Sequence, residues 1–368
     1  MRRMIDPTVG SGSGFAAQKI TQRSRYPFVL SVLVLASTLP AMSQEITGPQ
    51  EITAAQDAAG IPKAGGTLKA PTDADAIAPQ PDGAPQTPAS DDATVRAFGA
   101  FQRGYYLTAM ELALPRAQLG DPAAQTLLAE LFASGLGVPR SMDDAAFWYS
   151  QAAESGDASA QFKYGLMLLE GKYVTPDKAK AEVLMKKAAD AGNAFAQFNY
   201  AQILVSAKPG PSGILEALPY FEKSAEQGVP DAQYALAQVY INTAGVPDAK
   251  RGRAREWMEK AARAGFETAL LDYAIWLIDG IGGEKDYEEG FRWMQVAANR
   301  GNVVAQNRMA VLHINAIGTL GDPVEAGKWY ILSRRAGFDD RSLDDFYQGL
   351  TEEEQKQALE AANQFGKR

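Results

Sequence analysis

An all-α solenoid of stacked helix pairs is the fold class this sequence predicts, and three observations predict it. Glycines stand at Gly120, Gly156, Gly192, Gly228, Gly265, Gly301 and Gly337, spaced 36 residues apart with one step of 37. An Ala-Gln pair follows each by four and five residues: Ala124-Gln125, Ala160-Gln161, Ala196-Gln197, Ala232-Gln233 and Ala305-Gln306, with Ala269-Leu270 in the fifth copy. Eight residues before a glycine comes a bulky apolar side chain, Trp148, Leu184, Tyr220, Trp257, Trp293 or Trp329. Four of the five tryptophans therefore share one phase of one period. A fixed period of this length marks a repeat architecture, in which each unit buries its apolar face by stacking on its neighbours.

The N-terminal stretch has a different character. Arg2, Arg3, Lys19, Arg23 and Arg25 precede an apolar run, Phe28 to Leu39, that ends before Pro40 and Ala41-Met42-Ser43. A basic region, a short apolar stretch and small residues at −3 and −1 predict a secretory leader over 1–43, cleaved after Ser43. The apolar run is too short for an ordinary membrane span; contact with a membrane is expected only if the leader is retained as an anchor. From 44 to 91 the chain is rich in Ala, Pro, Gly, Thr, Asp and Gln and contains no aromatic residue. Such a composition buries too little apolar surface to offset ordering entropy, so a disordered linker is expected there.

The repeats follow. In the second copy, Ala160, Tyr164, Gly165, Met167 and Leu168 recur at helical spacing, as do Ala181, Leu184, Ala188 and Ala189. The first helix breaks near Gly171, and the second ends at Gly192, where a left-handed cap suits glycine. Gly165, Ala201, Ala237, Ala274 and Ala310 occupy one phase, and their small size lets the paired helices approach. The third copy departs, with Lys208-Pro209-Gly210-Pro211 in its loop and Pro219 in its second helix, which predicts a late helix start or a kink. After the repeats, Thr351 and Glu354 form a capping-box signature ahead of Ala358, Ala361 and Phe365.

These residues carry a family resemblance. Gly156-Asp157-Ala158-Ser159-Ala160-Gln161-Phe162-Lys163-Tyr164-Gly165 and Asp144-Ala145-Ala146-Phe147-Trp148-Tyr149-Ser150-Gln151-Ala152-Ala153 resemble the first and second helices of Sel-one-like repeats, relatives of tetratricopeptide repeats. The resemblance covers 122–338 with six copies, residues 92–121 resemble a degenerate first unit, and 339–368 fit a capping segment. It implies a right-handed superhelix of about seven helix pairs closed by a C-terminal capping helix. By the same resemblance, the concave surface takes Phe162, Leu166, Leu169, Phe195, Phe198, Gln202, Tyr234, Gln238, Leu271, Ile275, Ile278, Asn307 and Val311. Rows of exposed apolar groups mark binding grooves, although Phe or Tyr at the phase of Phe162, Phe198 and Tyr234 also serves to pack neighbouring helices in this family.

Composition excludes several chemistries. The chain has no cysteine, which removes disulfides, thiolate metal sites and cysteine nucleophiles. Its one histidine, His313, stands at the phase of Phe132, Leu168, Leu204, Tyr240 and Leu277, a core position, so no catalytic or metal site is expected and no cofactor. The formal charge of −8 argues against nucleic acid, which demands a basic face. Gly280-Ile281-Gly282-Gly283-Glu284-Lys285 follows no strand and lacks the Gly-Lys-Ser/Thr ending of a phosphate loop. Lys250-Arg251-Gly252-Arg253-Ala254-Arg255 reads as a solvated helix face, with docking of an acidic partner as the alternative. The resemblance implies a non-catalytic scaffold or adaptor in the periplasm of a Gram-negative bacterium, binding a protein or peptide in envelope signalling or exopolysaccharide regulation. Two other readings stay open: capture of cell-wall glycan or muropeptide by the aromatic row, and hydrolysis of cell wall or β-lactams, a role described for cysteine-rich members.

Overall fold

The computed structural model describes residues 90–366. The expected leader and almost all of the expected linker lie outside the described residues. Seventeen helices follow one another among the described residues, with no strand, all within one compact unit. The degenerate pair is α1 (Ser90–Gln102) and α2 (Tyr106–Gln118). The six full copies are α3 (Pro122–Ser134) with α4 (Met142–Glu154), α5 (Ala158–Glu170) with α6 (Lys178–Asp190), α7 (Ala194–Ala207) with α8 (Pro211–Glu226), α9 (Pro230–Asn242) with α10 (Asp248–Arg251) and α11 (Ala254–Arg263), α12 (Glu267–Asp279) with α13 (Tyr287–Asn299), and α14 (Val303–Ile314) with α15 (Pro323–Arg335). A short α16 (Arg341–Gln348) and α17 (Glu352–Gln364) complete the array. Helices pack chiefly against their sequence neighbours, and α17 packs on α15. This is the helical solenoid that the repeat period predicts.

Local signals set the helix ends. Asp121, Asp157, Asn193 and Asn302 cap first helices by accepting from backbone N–H groups, while Ser141, Asp177, Asp286 and Asp322 do the same for second helices. Gly192 takes φ 95°, as expected after α6. Thr351 and Glu354 make the expected capping box on α17, whose Phe365 ring meets Trp329 edge-on at 5.5 Å.

The third copy corrects one expectation. Its second helix does not start late; α8 begins at Pro211 and runs sixteen residues through Pro219. Pro211 sits at the first helical position, where its fixed φ suits the helix and its missing N–H costs nothing. Pro219 lies on the exposed side of α8, and the helix continues through it to Glu226.

The constant positions form the interior. Ala201, Ala237, Ala274 and Ala310 are fully buried, and an added Cβ at Gly165 would meet the Ala181 carbonyl at 3.5 Å, ordinary contact. Trp257, Trp329 and Leu184 are buried, whereas Trp148, Tyr220 and Trp293 are half-buried. Trp148 packs against the clusters of the degenerate pair and of the next two copies.

Candidate interaction face of the first helices

The Ala-Gln pair is a packing device. Each glutamine reaches back eight residues, across the turn, and its Nε2 donates to a carbonyl near the end of the preceding second helix. The pairs are Gln125 to Ala117 (3.1 Å), and Gln161 to Ala153, Gln197 to Ala189, Gln233 to Ala225 and Gln306 to Ala298 (each 3.2 Å). These bonds are buried, where a side chain that satisfies a helix-terminal carbonyl contributes most. Leu270 fills the same place in the fifth copy with apolar bulk, 2% exposed.

The residues expected on the concave face divide into two sets. Counting from the glycine that opens each copy, Phe162, Phe198, Tyr234, Leu271 and Asn307 stand at the sixth position. Phe162 is 9% exposed and packs with Met185 and Ala188 of its own copy and with Ala196 and Tyr200 of the next. Its ring stacks on Phe195 at 6.2 Å. Phe198 packs on Phe221, and Tyr234 on Phe266. Asn307, 7% exposed, donates from Nδ2 to Asp340 Oδ2 at 3.1 Å, tying α14 to the start of α16. Phe162, Tyr234 and Asn307 thus reach residues beyond their own copy, whereas Phe198 packs within its own.

The surface itself lies one residue further on. Positions three, seven, ten and fourteen share one face of each first helix, which points outward except at the buried Leu127, Ala235 and Gln238. There Phe195 is 57% exposed, and Leu166, Gln202, Ile275 and Val311 are half-buried. The seventh position, absent from the sequence-derived set, holds Lys163, Asn199, Ala235, Asp272 and Arg308. A column whose chemistry changes in every copy was the available signal. Lys163 pairs with Glu130 of the preceding copy at 3.8 Å.

A polar cluster sits at the centre of this face. Tyr234 Oη donates to Asp272 Oδ2 at 2.9 Å, and Gln238 Nε2 donates to the same oxygen at 3.1 Å. Asn242 Nδ2 in turn donates to Gln238 Oε1 at 2.9 Å, which explains why Gln238 is 7% exposed. Burial raises the Asp272 carboxyl above the usual carboxylate value, and the bonds from Tyr234 and Gln238 oppose that shift. Burial, followed by the charge of Asp272, pushes the Tyr234 phenol up.

The other sequence candidates are used internally. His313 is buried, edge-on to Phe291 at 5.3 Å, and burial lowers its imidazole below the ordinary histidine value. Of the basic run, Lys250 pairs with Glu222, Arg251 donates to the carbonyls of Ile241, Thr243 and Val246, and Arg253 pairs with Glu256. Arg255 donates to the carbonyls of Trp276, Ile281 and Glu284, so the glycine loop after α12 wraps an arginine of the preceding copy. Among the described residues no group of His, Asp or Glu is arranged to hold a metal ion, and no helix is long and apolar enough to cross a membrane.

Comparison with known proteins agrees with this architecture. The family model described as Sel1 repeat matches 122–157, 158–193, 194–229, 230–266, 268–302 and 303–338. A Sel1 repeat protein from Oxalobacter formigenes is 24% identical with a TM-score of 0.55, over 68% of this chain and 99% of that one. A protective antigen of uropathogenic Escherichia coli strains, displaying an SLR fold, is 28% identical with a TM-score of 0.49. That match covers 71% of this chain and 64% of the antigen's length. An immunity protein from Pseudomonas aeruginosa is 19% identical over 67% of this chain and 82% of that chain, with a TM-score of 0.35. No curated protein matches the chain.

Proposed function

The chain belongs to the Sel1 repeat family, and on that premise we propose that it is a non-catalytic scaffold of the Gram-negative periplasm. It captures a protein or peptide segment along the outward stripe of its first helices. Proteins of this repeat are generally interaction scaffolds. One observation carries the reading to this chain. The capping glycine, the Ala-Gln pair and the small-residue phase repeat their chemistry from copy to copy, whereas the stripe runs from Lys163 through Phe195, Asn199 and Gln202 to Asp272, Ile275 and Arg308 without repeating. A surface that varies copy by copy on a constant frame suits the recognition of an irregular partner. Burial of His313 against Phe291 supports a non-catalytic reading, because a general base must reach its substrate.

The periplasmic assignment rests on the leader over 1–43, and a role in envelope signalling or exopolysaccharide regulation rests on the family. The glycan reading needs open aromatic platforms. Phe162 is instead buried, and Phe198 and Tyr234 are engaged with neighbouring rings.

Photo-crosslinking in intact cells tests the scaffold. A crosslinker at Phe195 is expected to capture a discrete protein that the same group at Val183, exposed on α6, does not. Capture of nothing at Phe195, or of the same species at both, refutes the stripe as a binding face. The mass of the purified mature chain, expected to begin at Gln44, tests export.

A further inference from the structure

The scaffold reading can be deepened to the chemistry of its partner. Through copies three to five the first helices α7, α9 and α12 carry Asp231, Glu267, Asp272 and Asp279 and no lysine or arginine. The second helices of the same copies carry both signs, Lys223 with Glu216 and Glu222 on α8, Lys260 and Arg263 with Glu256 and Glu259 on α11, and Arg292 with Glu288 and Glu289 on α13, so only the first helices lack basic residues. Asp231, Asp272 and Asp279 occupy stripe positions three, seven and fourteen.

Helix stability accounts for Asp231, which lies in the first turn of α9 and complements the helix dipole. It does not account for the other two. Asp279 ends α12, where the dipole disfavours an anion. Asp272 is half-buried in mid-helix and makes no ion pair among the described residues. Arg308, at the equivalent position of the next copy, does not pair with it. Its charge is met by one phenol and one amide, both on a single oxygen. A carboxylate taken partly out of water without a cation is unfavourable, and an incoming cation relieves that penalty.

We infer that the stripe over α9 and α12 takes a basic peptide segment, whose lysine or arginine seats its charged head on Asp272. Ile275 lies one turn along the same stripe, where the aliphatic stem of such a residue can lie. Tyr234 and Gln238 hold the acceptor in place, and exposed Asp279 extends the negative field along the strand of peptide. This rests on the scaffold reading above.

The test is selection of random displayed peptides on the purified full chain, followed by fluorescence anisotropy with labelled copies of those selected. Bound peptides are expected to be enriched in Lys and Arg over the starting pool. Asp272→Asn is expected to weaken them on the order of tenfold or more, the effect of one charge-assisted bond. Glu360→Gln, on the exposed face of the capping helix, is expected to leave affinity unchanged. Peptides selected without basic enrichment, or bound equally by Asp272→Asn, overturn the inference and leave the scaffold standing. Failure to select any peptide removes the scaffold and the inference together. Should Asp272→Asn fold poorly, the native chain decides: its peptide affinity must fall steeply with added salt, and a salt-independent affinity overturns the inference.

Discussion

Two glycines inside helices are expected to respond oppositely to the same substitution. Gly165 in α5 occupies the small-residue phase that the five other copies fill with a buried alanine. A Cβ there would lie 3.5 Å from the Ala181 carbonyl, 3.7 Å from Met185 Cε and 3.8 Å from Leu184 Cβ. Nothing has to move, so Gly165→Ala gains helix propensity of about 1 kcal/mol, partly by restricting the unfolded chain. Gly290 in α13 differs. Its Cβ would come 2.7 Å from Ile278 Cγ1, 3.2 Å from the Ala274 carbonyl and 3.3 Å from the Ile278 nitrogen. Two of these neighbours are backbone, and overpacking of about 1–3 kcal/mol outweighs the propensity gain. Urea unfolding followed by circular dichroism gives the sign. Hydrogen exchange should accompany it, because an array unfolds copy by copy and its midpoint alone is ambiguous. Destabilisation by Gly165→Ala, or stabilisation by Gly290→Ala, would refute the claim that helix approach distance selects the small residue.

Three further outcomes are expected. Gln161→Leu should change stability by less than about 1 kcal/mol, because the Ala153 carbonyl keeps its bond from the Gly156 N–H and Leu270 already fits the equivalent site; Gln161→Ala should cost roughly 2 kcal/mol. Trp257→Ala, at a buried site, should cost about 3–5 kcal/mol in the same unfolding assay, against less than about 1 kcal/mol for exposed Phe195→Ala. Asp272 titrates above its unfolded value, so its protonated form favours folding at low pH, and that contribution is lost as pH rises through the folded value. Asp272→Asn should therefore gain stability relative to the native chain as pH rises from about 4, read from melting curves across pH; a difference constant with pH would count against the shift.

The seventh position escaped the sequence reading for a geometric reason. Successive residues on an α-helix are 100° apart, since a turn takes about 3.6 residues. Phe162 and Lys163 thus point to different surroundings, and periodicity alone does not say on which side the next copy lies. The exposed aromatic Phe195 was found, but its buried partner Phe162 was placed on the same surface. The late start expected of the third copy's second helix failed for a separate reason: Pro211 opens α8, where a proline fits the first helical position.

Periodicity in the chain itself determined the solenoid, because glycine, alanine and tryptophan recur wherever a cap, a close approach or a filled space recurs. The glutamine of each copy was equally visible, but not its acceptor, a backbone carbonyl eight residues earlier across a turn. Tertiary structure alone decided that acceptor, the direction each first helix faces, and the meeting of Tyr234, Gln238 and Asp272. That last contact joins residues about one repeat apart, and only the packing of both α9 and α12 against α11 brings them within hydrogen-bonding distance.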